Sequence, residues 1–481
     1  METRERPRPH SAPLYEQIAD RIAYLVEQGT FRPGDRVPSL RSLSRQMNVS
    51  LNTVKEAYRH LEDRRVLEAR PQSGYYVRAR LPEVPRDPEI SAGDLHPTQV
   101  SLGDLVERVV RDIANPDLIQ LGASIPDPRL LPVDRLSRML AAQVRRHGAR
   151  SVSYALPPGW EPLRQQISQR MLAAGCALRP DEIVVTNGCM EAVNLALRAI
   201  CRPGDTLALE SPTYYNFLQI AQALDLRVLE IPSTAREGIS LEALAYALEH
   251  TRIHACLVVS NFGNPQGGLL PEERQRELVE LLARHGVPLI EDDINGDLSF
   301  SDRRPPVAKA YDRSGTVVLC SSFSKTLAPG YRVGWIAAGR FQGRVERLKL
   351  LTSMASPTPP QMAVAEFLAN GGYDRHLRAV RRAYRKRVAQ LGAAIGRHFP
   401  SGTRVTRPEG GYTLWVEMPE GTDALALYGR ALAHGITLAP GPVFSASGKF
   451  ANWVRLNAAF WSERAELAVA TLGRLVGESR P

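Results

Sequence analysis

The sequence predicts a multidomain chain: a small, mostly helical N-terminal domain closed by a hairpin, then a much larger α/β domain in which strands and helices alternate. Three observations carry this. Apolar residues recur at helical spacing in the N-terminal part, and short strand-like apolar runs alternate with helical ones further on. Between them, residues 79–100 are rich in Pro and charge and poor in apolar periodicity, which marks a linker. The expected domains are therefore 1–78 and 101–481. A chain of 481 residues, 43% hydrophobic and 23% charged, suits a soluble globular protein of two or three domains.

Charge and cysteine usage narrow the class. The formal charge is +10, and residues 1–80 hold 15 Lys/Arg against 10 Asp/Glu, so the first sixth carries half of the excess, as expected where a domain meets a phosphate backbone. The five cysteines (176, 189, 201, 256 and 320) are odd in number and form no C-x-x-C pair, which argues against a disulfide framework or a zinc ribbon and for a reducing cytoplasm. No apolar run follows the basic N-terminal residues, so neither a signal peptide nor a membrane span is expected.

Leu14, Ile18, Ile22, Leu25 and Val26 share one helical face, and Gly29 and Pro33-Gly34 end that helix. Ser39 caps a short helix that turns Leu40, Leu43 and Met47 inward; after Asn48-Val49, Ser50 caps a third with Val54, Ala57, Tyr58 and Leu61 inward. Val66 to Ala69 and Tyr75 to Val77, separated by Pro71 to Gly74, make a hairpin. Three helices and such a wing describe a winged helix-turn-helix. Asn52, Thr53, Lys55 and Arg59 then face outward on the third helix and Arg41 on the second, a set suited to the phosphates and base edges of double-stranded DNA. The runs PLYEQIADRI and GTFRPGDRVPSLRSLSRQMNVSLNTVKEAYRHLEDRRVLEARPQSGYYV resemble the GntR family of bacterial regulators. That resemblance implies that Ser39, Arg41, Ser50, Asn52, Thr53, Lys55 and the wing from Gln72 to Gly74 approach DNA.

In the larger domain the informative residues lie where strand-like runs end. Glu182 to Thr186 leads to Asn187-Gly188-Cys189-Met190 and a helix start, which offers N–H groups to an anion. Thr206 to Glu210 leads to Tyr214, His254 to Ser260 to Asn264, Pro288 to Asp292 ends in acids, and Thr316 to Ser321 runs into Ser322-Phe-Ser324-Lys325. Five strand ends thus deliver polar groups to one edge, where open α/β sheets bind ligands. A lysine beside hydroxyls and Arg332 suits a Schiff base to an aldehyde with a phosphate tail, namely pyridoxal 5'-phosphate. Asp292 would keep a pyridine nitrogen protonated, Asn264 would donate to the ring's phenolic oxygen, Tyr214 would stack on the ring, and Arg332 would pair with the phosphate. Each residue alone has an ordinary structural explanation; their order and spacing favour the site.

The stretch from Tyr154 to Arg164, TNGCMEA, SPTYY, NFGNPQG, EDD, SSFSKTLAPGYRVGW and PEGGYTLWV resemble fold-type I aminotransferases. By that resemblance the domain is a pyridoxal-phosphate-dependent transferase-like α/β fold with a smaller C-terminal α+β subdomain at about 345–481. It makes Lys325 the Schiff-base lysine, and Gly188, Cys189, Met190, Ser322, Ser324 and Arg332 the phosphate cup. Tyr154 is similar to the tyrosine that reaches the neighbouring subunit's phosphate, and Arg455 to the arginine that clamps a substrate α-carboxylate. One position departs: Asn295 stands where the family usually has a tyrosine on the phenolic oxygen, which favours binding without efficient turnover.

The two resemblances in this order are those of the MocR subfamily of GntR regulators. They imply a cytoplasmic, head-to-tail, domain-swapped homodimer in which the aminotransferase-like domain senses pyridoxal phosphate or an amino compound. A working aminotransferase, and a DNA-binding protein with an inert C-terminal scaffold, remain as alternatives.

Overall fold

The computed structural model describes residues 13–27, 31, 35–64, 66–70, 73–77, 85–88, 95–100, 103–113 and 115–478. They divide into two compact units, with the break between Glu83 and Val84.

In the first unit, helices Leu14–Glu27, Leu40–Met47 and Leu51–Asp63 precede antiparallel strands Leu67–Arg70 and Gly74–Val77. The Ser39 and Ser50 hydroxyls accept from the N–H groups of Ser42 (3.2 Å) and Thr53 (3.1 Å), satisfying otherwise orphaned donors at each helix start. Asn48 takes the left-handed conformation (φ 51°) that turns the second helix toward the third. Ile18, Ile22, Val54, Tyr58, Leu61, Leu67 and Val77 fill the core, and the Tyr58 hydroxyl donates to the Pro38 carbonyl at 2.7 Å.

The second unit is built on a sheet whose spatial order is Thr98–Gln99, Arg227–Thr234, Thr206–Ser211, Ala255–Val258, Leu289–Asp292, Val317–Ser322, Gly334–Ala337 and Val184–Thr186. From Arg227–Thr234 to Val317–Ser322 the neighbours are parallel. Strand alternation sends Leu289 and Val317 into one apolar layer and Ile290 and Val318 into the other, so helices cover both faces. Gly334–Ala337 runs antiparallel to both neighbours. The eleven residues 323–333 that separate it from the preceding strand hold the Lys325 loop and a short turn at Pro329–Tyr331, with no crossover helix to make the pairing parallel.

Four antiparallel strands, Arg404–Val405, Thr413–Glu417, Trp453–Asn457 and Ala439–Pro440, form a second sheet. Its core takes residues from the long helix Gly372–His398 and from Ala424–Ala433 and Glu463–Glu478. The expected subdomain start near 345 needs correction. Val345 packs in one layer of the large sheet, and Val364, Phe367 and Leu368 pack with Leu163 and Ile167 beneath it. Val106, Val109 and Leu121 instead join the small core, and Ile119–Gln120 pairs with Ile436–Thr437. Periodicity identifies an apolar face but not which layer covers it.

The linker expectation also changes over its described part. The Arg86 carbonyl accepts from Val405 N at 3.0 Å, Asp87 pairs with Arg236, and Thr98–Gln99 pairs with Arg227 and Val228. A Pro-rich stretch poor in periodicity still carries carbonyls that a neighbouring edge can use. The remainder of 79–100, together with Gln72, Gly29 and Pro33-Gly34, lies outside the described residues.

Leu61, with no exposed surface in the first core, sets the scale of that core's stability. Leu61→Ala should destabilise the unit by about 2–5 kcal/mol, read as faster exchange of the protected Val54 and Tyr58 amides.

Candidate functional site

Lys325 lies in the loop after strand Val317–Ser322, its amine donating to the Ser124 carbonyl. Burial, reinforced by the nearby Arg455 guanidinium, holds that amine down at about 8 against the pull of Asp292. Part of it is therefore uncharged near neutrality. Burial also pushes the Asp292 carboxyl up to about 6, opposed by the Ile294 N–H (2.9 Å) and the Cys189 thiol. A cation brought beside Asp292 would favour its ionised form.

The glycine turn before helix Cys189–Ile200 has no side-chain cap, so the helix start presents its own N–H groups. Arg332, itself left-handed (φ 53°), reaches back to donate to the Asn187 carbonyl at 2.8 Å. A Cβ on Gly188 would collide with that guanidinium, and one on Gly334 would lie 2.6 Å from Gly188 Cα, so both positions exclude larger residues. Ser322 Oγ accepts from Ser324 N at 3.3 Å, while Ser324 Oγ is buried without a hydrogen-bond partner among the described residues. Met190 is half-buried beside the buried Cys189.

Arg455, on strand Trp453–Asn457, is wholly buried. Its Nη1 donates to Asn264 Oδ1 at 2.8 Å and its Nη2 to the Gly122 carbonyl, and Nε is buried without a partner. Buried polar atoms are nearly always satisfied, so Ser324 Oγ and Arg455 Nε mark places suited to ligand oxygens. The half-buried Tyr214 packs against Tyr215 and Phe217, and burial raises its phenol well above the usual range, with Arg455 and Asp292 both acting on it electrostatically. Asn295 donates from Nδ2 to the Phe262 carbonyl (2.9 Å), within the loop that carries Asn264.

The structure thus gathers Lys325, Asp292, Asn264, Tyr214, Arg455 and Cys189 through direct bonds or close charges, and Gly188, Ser322, Ser324 and Arg332 into an adjoining cup. Tyr154 is not gathered: it is 75% exposed on the chain. The segment Gly122–Ser124 escaped the sequence reading although its carbonyls take both Arg455 and Lys325 and, at 3.4 Å, Tyr412. Carbonyls carry no sequence signal; the small-residue run Gly122-Ala-Ser124 is the one local feature compatible with close approach.

In the first unit Asn52, Lys55, Arg59 and Arg41 are exposed, and Thr53 is half-buried against the Ser50 hydroxyl. Ser39 and Ser50 act first as helix caps. Gly74, at φ 110°, lies against Arg36, which bridges to Tyr76 of the wing and was missed by the sequence reading.

Residues 118–472 match the aminotransferase class I and II family, and residues 14–77 the gntR family of bacterial regulatory proteins. The uncharacterized HTH-type transcriptional regulator YdcR of Escherichia coli (strain K12) is 38% identical over 96% of this chain and 99% of its own length. The chain belongs to the MocR subfamily of GntR regulators. Another relative of this MocR-type protein, the uncharacterized HTH-type transcriptional regulator YjiR of the same organism, is 37% identical over 96% of this chain and 98% of its own. Among solved structures, LysN, the alpha-aminoadipate aminotransferase of Thermus thermophilus complexed with N-(5'-phosphopyridoxyl)-L-leucine, matches with a TM-score of 0.72 and 29% identity, over 78% of this chain and 97% of that one. The regulators span nearly the whole MocR-type chain and the aminotransferase only the second unit, which favours a regulator over a metabolic enzyme. Among the described residues no helix is long and apolar enough to cross a membrane.

Gly334→Ala should lower the second unit's stability by about 1–3 kcal/mol, because its Cβ meets backbone rather than a movable side chain. Thermal unfolding checks this.

Proposed function

We propose that the aminotransferase-like unit is a sensor: it binds pyridoxal phosphate, alone or with an amino ligand, and thereby alters how the winged helix-turn-helix engages DNA. One observation carries the reading. A half-buried, partly uncharged Lys325 stands with a buried acid and a buried arginine, in a chain that also presents a reading helix.

Pyridoxal 5'-phosphate is the expected cofactor, supplying an aldehyde reactive toward amines and an electron-withdrawing ring. Lys325 would hold the aldehyde end and Asp292 the ring nitrogen, with Tyr214 against the ring face and Asn264 at the phenolic oxygen. The first-turn N–H groups from Gly188 to Met190, the Ser322 and Ser324 hydroxyls and Arg332 would bind the phosphate. Arg455 would fix a ligand carboxylate. Asn295, engaged with the Phe262 carbonyl, leaves the phenolic oxygen without a tyrosine donor, which favours sensing over rapid transamination. A ligand that binds two arrangements of the protein unequally shifts their populations, and DNA affinity follows.

The assembly we propose is the head-to-tail homodimer. Val152 (87% exposed) and Leu351 (72%) flank Tyr154, and the Ala155–Ser356 bridge brings their segments together. A second copy would cover this apolar face and receive Tyr154 at its phosphate cup. For the DNA-facing set, Ser39, Arg41, Ser50, Asn52, Thr53, Lys55, Arg59, Gln72 and Gly74, the target is a double-stranded operator, and a cytoplasmic location fits.

The deciding experiment is the affinity of apo-protein for the DNA upstream of its own gene, with and without pyridoxal phosphate and amino acids, at fixed salt. Affinity that ignores every ligand would refute sensing, and steady keto-acid production from an amino donor would favour the enzyme. Lys325→Ala should abolish borohydride-fixable cofactor attachment while leaving the fold intact. Attachment needs the uncharged amine, so its rate in the parent protein should rise about tenfold per pH unit up to about 8 and then level off. A rate still climbing at pH 9 would place the amine elsewhere. Arg41→Ala or Arg59→Ala should weaken DNA binding and flatten its salt dependence, with cofactor absorbance unchanged.

A further inference from the structure

Helix Gly372–His398 carries eight Lys/Arg and one acid. Residues 81–481 as a whole have a net excess of only five basic residues, so this helix, at plus seven, concentrates more than the excess of everything beyond residue 80. Its cations divide cleanly. Arg381 donates to the Asp297 carbonyl, Arg387 to Asp127, and Arg397 pairs with Glu466. The only acid, Asp374, is taken by Arg170 at 2.9 Å. Arg375, Arg378, Arg382, Arg385 and Lys386 are exposed, and none has a hydrogen-bonded or ion-paired partner among the described residues.

These five recur at spacings of three, four, three and one, which places them on one face of the helix. Tyr373, Leu377, Val380, Tyr384, Val388 and Leu391 occupy the buried face. The stripe runs for about 16 Å, the axial rise of roughly five phosphates on one DNA strand. A solvated charged face ordinarily mixes signs, whereas from Arg375 to Lys386 this one has no acid, and Asp374 at its edge is already paired with Arg170.

We propose that the stripe Arg375, Arg378, Arg382, Arg385 and Lys386 is a second, sequence-independent contact for double-stranded DNA, binding the phosphate backbone of duplex that extends beyond the site read by the winged helix-turn-helix. The proposal rests on the DNA-binding reading of the first unit. Guanidinium groups at this spacing match successive phosphates, pair with them bidentately, and need no acid on the helix to be displaced.

The test uses full-length protein and a duplex that it has selected from a randomised pool, in a short form limited to the protected site and a long form extended by about two helical turns on each side. The triple variant Arg378→Gln/Arg382→Gln/Arg385→Gln should bind the short duplex as the parent does. It should bind the long one on the order of tenfold more weakly near physiological salt, with the salt slope shallower by about three. The matching triple lysine variant should keep most of the parent's long-duplex affinity, because it keeps the charge. Unchanged binding of the long duplex by the glutamine variant would overturn the proposal. So would an equal loss on both duplexes, which would locate the effect in the fold or in the winged helices, and so would an RNA of the same length displacing the long duplex from the parent more readily than DNA does. Failure of the reading-helix assignment is visible separately: Arg41→Ala and Arg59→Ala would then leave short-duplex binding intact.

Discussion

Three consecutive carboxylates, Glu291, Asp292 and Asp293, are buried at the end of one central strand, and much of the second unit is organised around making that tolerable. Buried charge is costly unless it is paired or fully hydrogen-bonded. Successive residues on a strand face opposite ways, so the three acids meet different surroundings. Glu291 accepts from the backbone N–H groups of Ala308 and Lys309 and from Ser260. Asp293 pairs with Arg304 and accepts from Asn261 at 2.7 Å, and Arg304 also holds Asp297. Among the described residues Asp292 is bonded by one backbone N–H and a thiol, with the Lys325 charge nearby. Burial raises all three carboxyls, Glu291 to about 7, and the acid with the fewest direct partners is the one beside Lys325, held between two more fully bonded neighbours.

The same network reaches the lysine from its other side. Thr326 follows Lys325, and its hydroxyl bonds to that of Tyr373, which donates its proton to Asp297. The chain around Lys325 is thereby tied to the first turn of the long helix that contributes to the small sheet's core. Burial and bonding, rather than loop length, fix where the amine stands.

What the sequence made legible was local. The winged helix-turn-helix could be read because Ser39 and Ser50 cap the helices they precede and apolar residues repeat at helical spacing between them. The residues gathered around Lys325 could be grouped because most sit at or soon after the end of a strand-like run. The missed features depend on distance along the chain. Gly122 and Ser124 act through carbonyls on partners some 200 or more residues away, a separation no local pattern encodes. Residues 103–121 join a core formed mostly beyond residue 372, and the described part of 79–100 docks through its backbone. Asn295 was noticed for what it lacks; its bond to Phe262, a buried left-handed residue, gives it a structural task.

One short peptide segment holds both recognition groups of the site: the Ser124 carbonyl takes the Lys325 amine and the Gly122 carbonyl takes Arg455. A ligand that engages only one of them frees one end of the segment and leaves the other pinned. A molecule carrying both functions frees both ends at once, gaining from its second contact the advantage of an intramolecular step. On the proposed sensing reading, Gly122–Ser124 would act as a built-in competitor for both groups, favouring compounds that span them.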